Sequence, residues 1–266
     1  PIVLRGDRLD RMFDYLPYDH VSGQWQGVRF GKESFDNVID YTDIHSSFNG
    51  VQVDSSGVDR LSLAISNSTI HNCQGYALRI IDSKVTIENC QLSNALYNCL
   101  DVEGGDVVVN NSTIAQFYPF DGMRAAALNF SALTYPLVSF KCSNSIITGY
   151  ANDEMMGGKP QDSDANEFNY EFNNCIIRTP EVGDDSEEQD YFVDCIFEDV
   201  KDTVSYGIKH FVLVDGDMQK YDFHLRKESA AIDCANAATS AKTDHDGILR
   251  DEKPDMGAYE FVKKEE

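Results

Sequence analysis

A set of charged and amide residues recurs along the first half of the chain in a pattern that could support chemistry. Each lies in the middle of a short apolar-polar-apolar triplet, and the middle residues are Arg29, Gln52, Arg79, Asp101 and Asn129. Glu103 follows Asp101 by two residues and therefore shares its side of an extended strand. An arginine can neutralise a carboxylate, and a carboxylate can take a proton or bind a cation such as calcium. The set thus contains groups suited to proton abstraction or to cation binding.

The same residues also have a plainer interpretation as a solvated surface. The outer face of a half-buried sheet must be polar, and charged or amide side chains meet that need without any function. We prefer this interpretation to a catalytic one. A glycoside hydrolase would need two carboxylates that flank the scissile bond, for which Asp101, Glu103 and Asp106 are the candidates.

A second repeated phrase runs in phase with the triplets and indicates the elements that carry them. The phrase Asn-(Ser/Cys)-x-aliphatic ends at Ile70, Leu92, Ile114, Ile147 and Ile177, and variant copies end at Ile44 and Phe197. Successive ends are 26, 22, 22, 33, 30 and 20 residues apart. A period near 22 with insertions, two or three short strands per period and almost no helical pattern predicts a solenoid.

A coil of this length closes into one turn of a parallel β-helix, whose turns stack about 4.8 Å apart. A turn residue at one place in every coil meets its copies above and below. We therefore expect the asparagines to form a ladder and the adjacent Ser or Cys to fill a tight inward position. The sequence predicts an all-β parallel β-helix over residues 1–200 and a non-repeating C-terminal cap over residues 201–266.

Composition limits the partners. The 22 Lys and Arg against 45 Asp and Glu give a net charge of −23, which repels nucleic acid and also repels polyanionic glycans unless a basic patch or cation compensates. We therefore expect no nucleic-acid partner, and we interpret the acidic stretch 181–190 as a solvated loop. The seven cysteines include no CxxC pair and are expected to be buried apolar residues. The six histidines show no metal-binding spacing.

Hydropathy and the first residues of the chain bear on where the protein is located. No apolar run reaches the length of a membrane span, so we expect no transmembrane segment. The chain opens with PIVLRGDRLD instead of a basic-then-apolar signal, so we expect that an upstream segment is missing.

Two stretches carry a family resemblance. RGDRLDRMFDYLPYDHVSGQWQGVRF (5–30), followed by DNVIDYTDI, resembles bacterial surface proteins that contain a right-handed parallel β-helix of the pectin-lyase-like kind. The ending YDFHLRKESAAIDCANAATSAKTDHDGILRDEKPDMGAYEF resembles the C-terminal segment of such proteins called choice-of-anchor Q. The matching residues are Asp222, Phe223, Leu225, Ser229, Ala231, Ile232, Asp233, Asp246, Gly247, Arg250, Pro254, Asp255, Gly257, Ala258, Tyr259 and Glu260. The chain departs from the pattern at Ala230, where proline is usual, and at Cys234-Ala235.

The resemblance implies a right-handed β-helix that is secreted or displayed on the outer bacterial surface, often lipid-anchored, here through the missing N-terminus. In pectin-lyase-like folds the outer sheet face carries a polysaccharide groove. Arg29, Arg79, Asp101 and Glu103 are then the catalytic candidates of a lyase acting on a uronic-acid glycan, with calcium as the candidate cofactor. The substrate-binding candidates are Gln52, Asn129 and the aromatic Tyr118.

Three functions therefore stay open. The first is a surface-displayed carbohydrate-binding or scaffold protein without catalysis, the second a polysaccharide lyase, and the third a structural spacer or adhesin. We favour the first, because most proteins of the resembling family have no demonstrated activity. We expect a monomer whose partner is a polysaccharide.

Overall fold

The structure is a computed structural model that describes residues 1–160, 167–183, 186 and 188–263. In this described part the chain coils through three parallel sheets, visiting each sheet once per coil, and completes about six turns around one core. Its helical elements are short 3-10 turns at Tyr18–His20, Gln189–Tyr191 and Tyr206–His210. The predicted all-β parallel β-helix is therefore confirmed.

The strands of the three sheets alternate along the chain. Sheet 1 contains Ile2–Leu4, Thr42–His45, Thr69–Cys73, Gln91–Ala95, Thr113–Gln116, Ile146–Gly149, Ile176–Ile177 and Ile196–Phe197. Sheet 2 contains Val28–Phe30, Val51–Val53, Leu78–Ile81, Leu100–Glu103, Leu128–Ser131 and Met155–Gly158. Sheet 3 contains Asn37–Asp40, Gly57–Ser66, Ser83–Glu88, Gly105–Asn110, Leu137–Ser143, Phe168–Asn173 and Phe192–Val193. Two antiparallel pairs lie outside these sheets, Arg11–Phe13 with Leu16–Pro17 and Phe211–Asp215 with Lys220–Leu225.

The register of sheet 1 confirms the predicted repeat. Its strands align the ends of the repeated phrase in one column: Ile44, Ile70, Leu92, Ile114, Ile147, Ile177 and Phe197. The two variant copies of the phrase take their expected places at either end. The aliphatic members are fully buried and form one wall of the core.

The residue that opens each copy of the phrase adopts a left-handed backbone conformation. The φ angles are 46° at Tyr41, 47° at Asn67, 52° at Asn89, 44° at Asn111, 52° at Asn144, 51° at Asn174 and 51° at Asp194. Asparagine and aspartate tolerate this conformation better than other residues that carry a Cβ. The need for a left-handed turn in every coil therefore explains the recurrent asparagines.

The expected asparagine ladder forms only in part. The amide of Asn89 donates to Oδ1 of Asn67 at 3.2 Å, which is a direct contact between turns. Serine hydroxyls link other coils. Oγ of Ser112 accepts the N–H of Cys90 at 3.1 Å, and Oγ of Ser145 accepts the N–H of Ser112 at 3.1 Å. The small residue of the phrase thus has a bonding role as well as a steric one.

The non-repeating C-terminal segment packs along the outer face of sheet 1. The outward side chains of Ala115, Ile146 and Ile176 are buried in a second apolar cluster. The segment contributes Phe211, Phe223, Leu225, Ala231, Met256, Ala258 and Tyr259 to this cluster. Gly257 has a φ of 96°, and a Cβ there would come within 2.9 Å of Oγ1 of Thr113, so the close approach requires glycine.

The turn asparagines bind this segment as well as each other. Asn111 accepts the N–H of Ala241 at 2.9 Å and donates to Oγ of Ser240 at 3.3 Å. Asn144 accepts the N–H of Asn236 at 2.8 Å. The amides that would have completed a ladder therefore hold the C-terminal segment against the solenoid.

All seven cysteines are free. Five are buried as expected, namely Cys73, Cys90, Cys99, Cys142 and Cys175, whereas Cys195 and Cys234 are only half-buried. In the described part of the chain, no helix has the length and hydropathy needed to cross a membrane. The acidic stretch 181–190 includes residues 184, 185 and 187, which lie outside the described residues. Its interpretation as a solvated loop stays a prediction, as does the boundary between residues 200 and 201.

The left-handed turn at Asn111 can be tested by paired substitution. Asn111→Ala and Asn111→Gly lose the same side-chain contacts, but only alanine is strained at a positive φ. We expect Asn111→Ala to be the less stable variant by about 1 kcal/mol in urea unfolding. Equal stability of the two variants would contradict a backbone role for this residue.

Glu154 should make stability depend on pH. Its carboxylate is buried and accepts the N–H groups of Ala127 at 2.8 Å and Ala151 at 2.6 Å. Burial raises its pKa from 4.5 to about 7. Between these values the unfolded chain releases the proton first, so stability falls as pH rises. We expect wild type to lose roughly 3 kcal/mol relative to Glu154→Gln between pH 4.5 and pH 8 in urea titrations. A difference that does not change with pH would contradict the prediction.

Candidate functional site

The predicted column of polar residues lies on sheet 2. Parallel pairing aligns Arg29, Gln52, Arg79, Asp101 and Asn129 on five successive strands. At the usual strand spacing the column is roughly 19 Å long. The alignment inferred from the sequence is therefore confirmed, and its chemistry depends on what each side chain contacts.

The first part of the column is organised by Asp54, a residue that sequence reasoning missed. Its carboxylate accepts Nε of Arg29 at 2.9 Å and Nε2 of Gln52 at 2.9 Å. Burial opposes ionisation of Asp54, but the hydrogen bonds from Arg29 and Gln52 lower its pKa below the ordinary value. The Arg29 guanidinium is thus paired with a carboxylate, although its side chain is 69% exposed.

The second part of the column contains a largely buried charge. Asp101 is 6% exposed, and its Oδ1 accepts the amide of Asn129 at 2.8 Å. Its Oδ2 lies 3.2 Å from Nε of Arg79, an ion pair without hydrogen-bond alignment at that nitrogen. Burial raises the pKa of Asp101, and the Asn129 hydrogen bond and the Arg79 charge oppose that rise. The carboxylate is therefore held by protein groups.

Glu103 points toward the loop that follows Leu128–Ser131. Its carboxylate accepts the hydroxyl of Ser131 and the backbone N–H of Thr134. Calcium needs several oxygen ligands that converge on one point. Asp101 and Glu103 instead have their oxygens on separate protein donors, so this pair does not fit a calcium ion.

The aromatic residue chosen from the sequence does not join the column. Tyr118 is 4% exposed, and its hydroxyl lies 2.8 Å from Oγ of Ser22, so its ring offers no open face. Tyr76 and Tyr97 adjoin the column instead, with ring centroids 5.1 Å apart. The Arg79 guanidinium lies 4.7 Å from the centroid of Tyr76. Their position just before two of the triplets was the signal that could have identified them.

The single tryptophan of the chain, Trp25, is partly buried. Its ring packs against the core cluster, and its Nε1–H donates to the backbone carbonyl of His45 at 2.9 Å. It is therefore not a platform for sugar rings.

The structure also brings together side chains that sequence reasoning left apart. Oδ1 of Asp43 lies 2.9 Å from Nδ1 of His45 and 3.2 Å from Nε2 of His71, on the outer face of sheet 1. His45 and His71 occupy the residue after the aliphatic in two successive copies of the repeated phrase. Spacing along the chain concealed them, but alignment of the copies could have revealed them.

Arg79 and Asp101 should depend on each other for stability. Arg79→Met leaves the Asp101 carboxylate buried without its cation, and we expect a loss of about 2 kcal/mol in urea unfolding. The double variant Arg79→Met/Asp101→Asn should recover part of the loss, because no charge then remains buried.

The matched control for this pair is Arg29→Met, which removes an exposed arginine from the same column. Exposed ion pairs contribute little, so this variant should unfold like wild type. An Arg79→Met protein as stable as the control would contradict the coupling.

Comparison with known proteins gives the family. No curated protein matches the chain. The family model described as the right-handed β-helix region matches residues 26–210, which is more than half of the sequence and includes all six strands of sheet 2. The chain therefore belongs to the right-handed β-helix family.

Proposed function

We propose that this protein binds a neutral polysaccharide along the outer face of sheet 2 and does not cleave it. The observation that carries the proposal is the internal pairing of the polar column. Arg29 is paired with Asp54, Arg79 with Asp101, and Tyr76 and Tyr97 lie beside the second pair. Such a face offers hydrogen bonds and ring surface without an excess of positive charge.

Charge favours a neutral glycan over an acidic one. The protein has a net charge of −23, and neither arginine of the column is free of a carboxylate partner. A polyuronate would have to displace Asp54 or Asp101 to reach a guanidinium. Hydroxyl groups of a neutral sugar can instead bond to the amides of Gln52 and Asn129 and to the paired ions.

The same pairing disfavours the lyase alternative. An elimination on a uronic acid needs a cation for the substrate carboxylate and a base for the adjacent proton. Arg79 and Asp101 are the candidates for these roles, and they lie 3.2 Å apart as an ion pair. Binding of the substrate would therefore have to break an interaction that covers a largely buried carboxylate, which is costly.

Display outside the cell is part of the proposal. It rests on the resemblance of residues 5–30 to pectin-lyase-like surface proteins and of the C-terminal segment to the choice-of-anchor Q segment of such proteins. A polysaccharide ligand is consistent with that location. The long face of a solenoid also suits a linear polymer, because successive coils repeat the same surface along one axis.

Glycan-array binding followed by calorimetry tests the proposal. We expect binding to a neutral polysaccharide, and we expect Tyr97→Ala to weaken it about tenfold through loss of ring stacking. Tyr191→Ala is the matched control, because Tyr191 is comparably exposed, lies 4.8 Å from another tyrosine ring and belongs to the 3-10 turn Gln189–Tyr191, outside sheet 2.

Two outcomes would contradict the proposal. Equal losses of glycan affinity in Tyr97→Ala and Tyr191→Ala would show that the ligand does not bind on sheet 2. The absence of binding to any glycan would favour a structural spacer or adhesin.

A further inference from the structure

The Asp43, His45 and His71 cluster is assembled by the register of the solenoid. Asp43 and His45 project outward from strand Thr42–His45, on either side of the buried Ile44. His71 projects from the adjacent strand and pairs directly with His45. The imidazole rings lie 4.8 Å apart between centroids. Because both strands belong to a continuous parallel sheet, the three side chains are held on a rigid surface.

The donor atoms of the cluster have metal-binding types and spacing. His45, His71 and Asp43 each offer one donor atom, and these three atoms all lie within 4.8 Å of one another. In a tetrahedral zinc site with bonds of 2.0–2.1 Å, neighbouring ligand atoms are about 3.3 Å apart. The two separations from the Asp43 oxygen, 2.9 Å and 3.2 Å, require only a small opening to admit the ion.

A fourth residue beside the cluster supplies an independent observation. His20 lies on the 3-10 turn Tyr18–His20, and Oγ of Ser46 donates to the carbonyl of Asp19 in that turn. Nδ1 of His20 is buried and has no hydrogen-bond partner. The turn that carries His20 is therefore held beside His45, and its unpartnered imidazole nitrogen is a further nitrogen donor near the cluster.

We propose that Asp43, His45 and His71 form a binding site for a divalent transition metal, with zinc as the reference ion. Two imidazoles and one carboxylate are a donor set that zinc uses with its fourth position open to another ligand. Calcium prefers a shell of oxygens and is not expected here.

Access to the site is open from one side. The side chain of Asp43 is 32% exposed and that of His71 is 22% exposed, whereas His45 is 8% exposed. An ion can therefore reach the Asp43 carboxylate from solvent, and the buried His45 would provide the inner ligand of the site. Bound metal would join two consecutive coils near the N-terminal end of the solenoid, so it should also raise the thermal stability of the protein.

The test uses the whole protein, with zinc as the only added ligand. After treatment with a chelator, zinc is titrated into the protein by calorimetry and thermal unfolding is followed with and without the ion. We expect one zinc per chain, a rise in Tm, and affinity losses of about 100-fold in His45→Ala, His71→Ala and Asp43→Asn. Asp43→Asn keeps the size of the side chain, so it guards against loss of fold. Cobalt should give the visible absorption of a tetrahedral site in wild type and lose it in Asp43→Asn.

The control is His224→Ala. His224 also contacts two carboxylates, Asp222 at 2.6 Å and Asp246 at 2.9 Å, but it lies outside the three-residue cluster. This variant should bind zinc like wild type. Zinc binding that survives in Asp43→Asn, or that is lost equally in His224→Ala, would overturn the assignment. So would a wild-type protein that binds no zinc, because Asp43 would then serve only as a hydrogen-bond bridge between two histidines.

Discussion

The structure depends on one repeated constraint, a left-handed turn that returns each coil of the chain onto the coil before it. From Tyr41 to Asp194 the turn residue has a φ between 44° and 52°. Because the turn recurs at the same place, aliphatic residues stack on aliphatic residues and outward residues align in columns. Every candidate site described above is a consequence of that alignment. The polar column on sheet 2 and the histidine pair on sheet 1 are each built from residues more than twenty positions apart that occupy equivalent places in successive coils.

Much of this arrangement could be predicted from the sequence. In a solenoid, residues that are one sequence period apart lie next to each other in space. The column from Arg29 to Asn129 and the stack from Ile44 to Phe197 followed from phase alone. Contacts that do not obey the period were not accessible. Asp54 reaches back to Arg29 and Gln52 from beyond the triplet. The hydroxyl of Tyr118 lies at hydrogen-bond distance from Ser22, and the C-terminal segment packs on the outer face of sheet 1. These contacts depend on loops whose paths no repeat specifies.

Pairing of charges determines what the sheet 2 face can do. From the sequence, arginines and carboxylates on one face suggested both a lyase and a calcium site. In the structure Arg29 is paired with Asp54 and Arg79 with the largely buried Asp101, while Glu103 bonds to Ser131 and Thr134. A face of this kind presents amide dipoles and aromatic ring edges to a ligand, while its arginine side chains are engaged in ion pairs within the protein. The two outer faces therefore differ in character. The arginines of sheet 2 are paired with carboxylates, whereas sheet 1 carries a group of metal-type donors near its start and an apolar covering farther along.

The sheet 2 face is proposed to bind a glycan without cleaving it. The most direct test of the absence of cleavage is an elimination assay. The protein is incubated with a panel of uronic-acid polysaccharides, with and without calcium, and the absorbance of the unsaturated product is followed. No product is expected on any substrate in either condition. A calcium-dependent product that disappears in Arg79→Ala would contradict binding without cleavage, because Arg79 would then neutralise a substrate carboxylate and not Asp101.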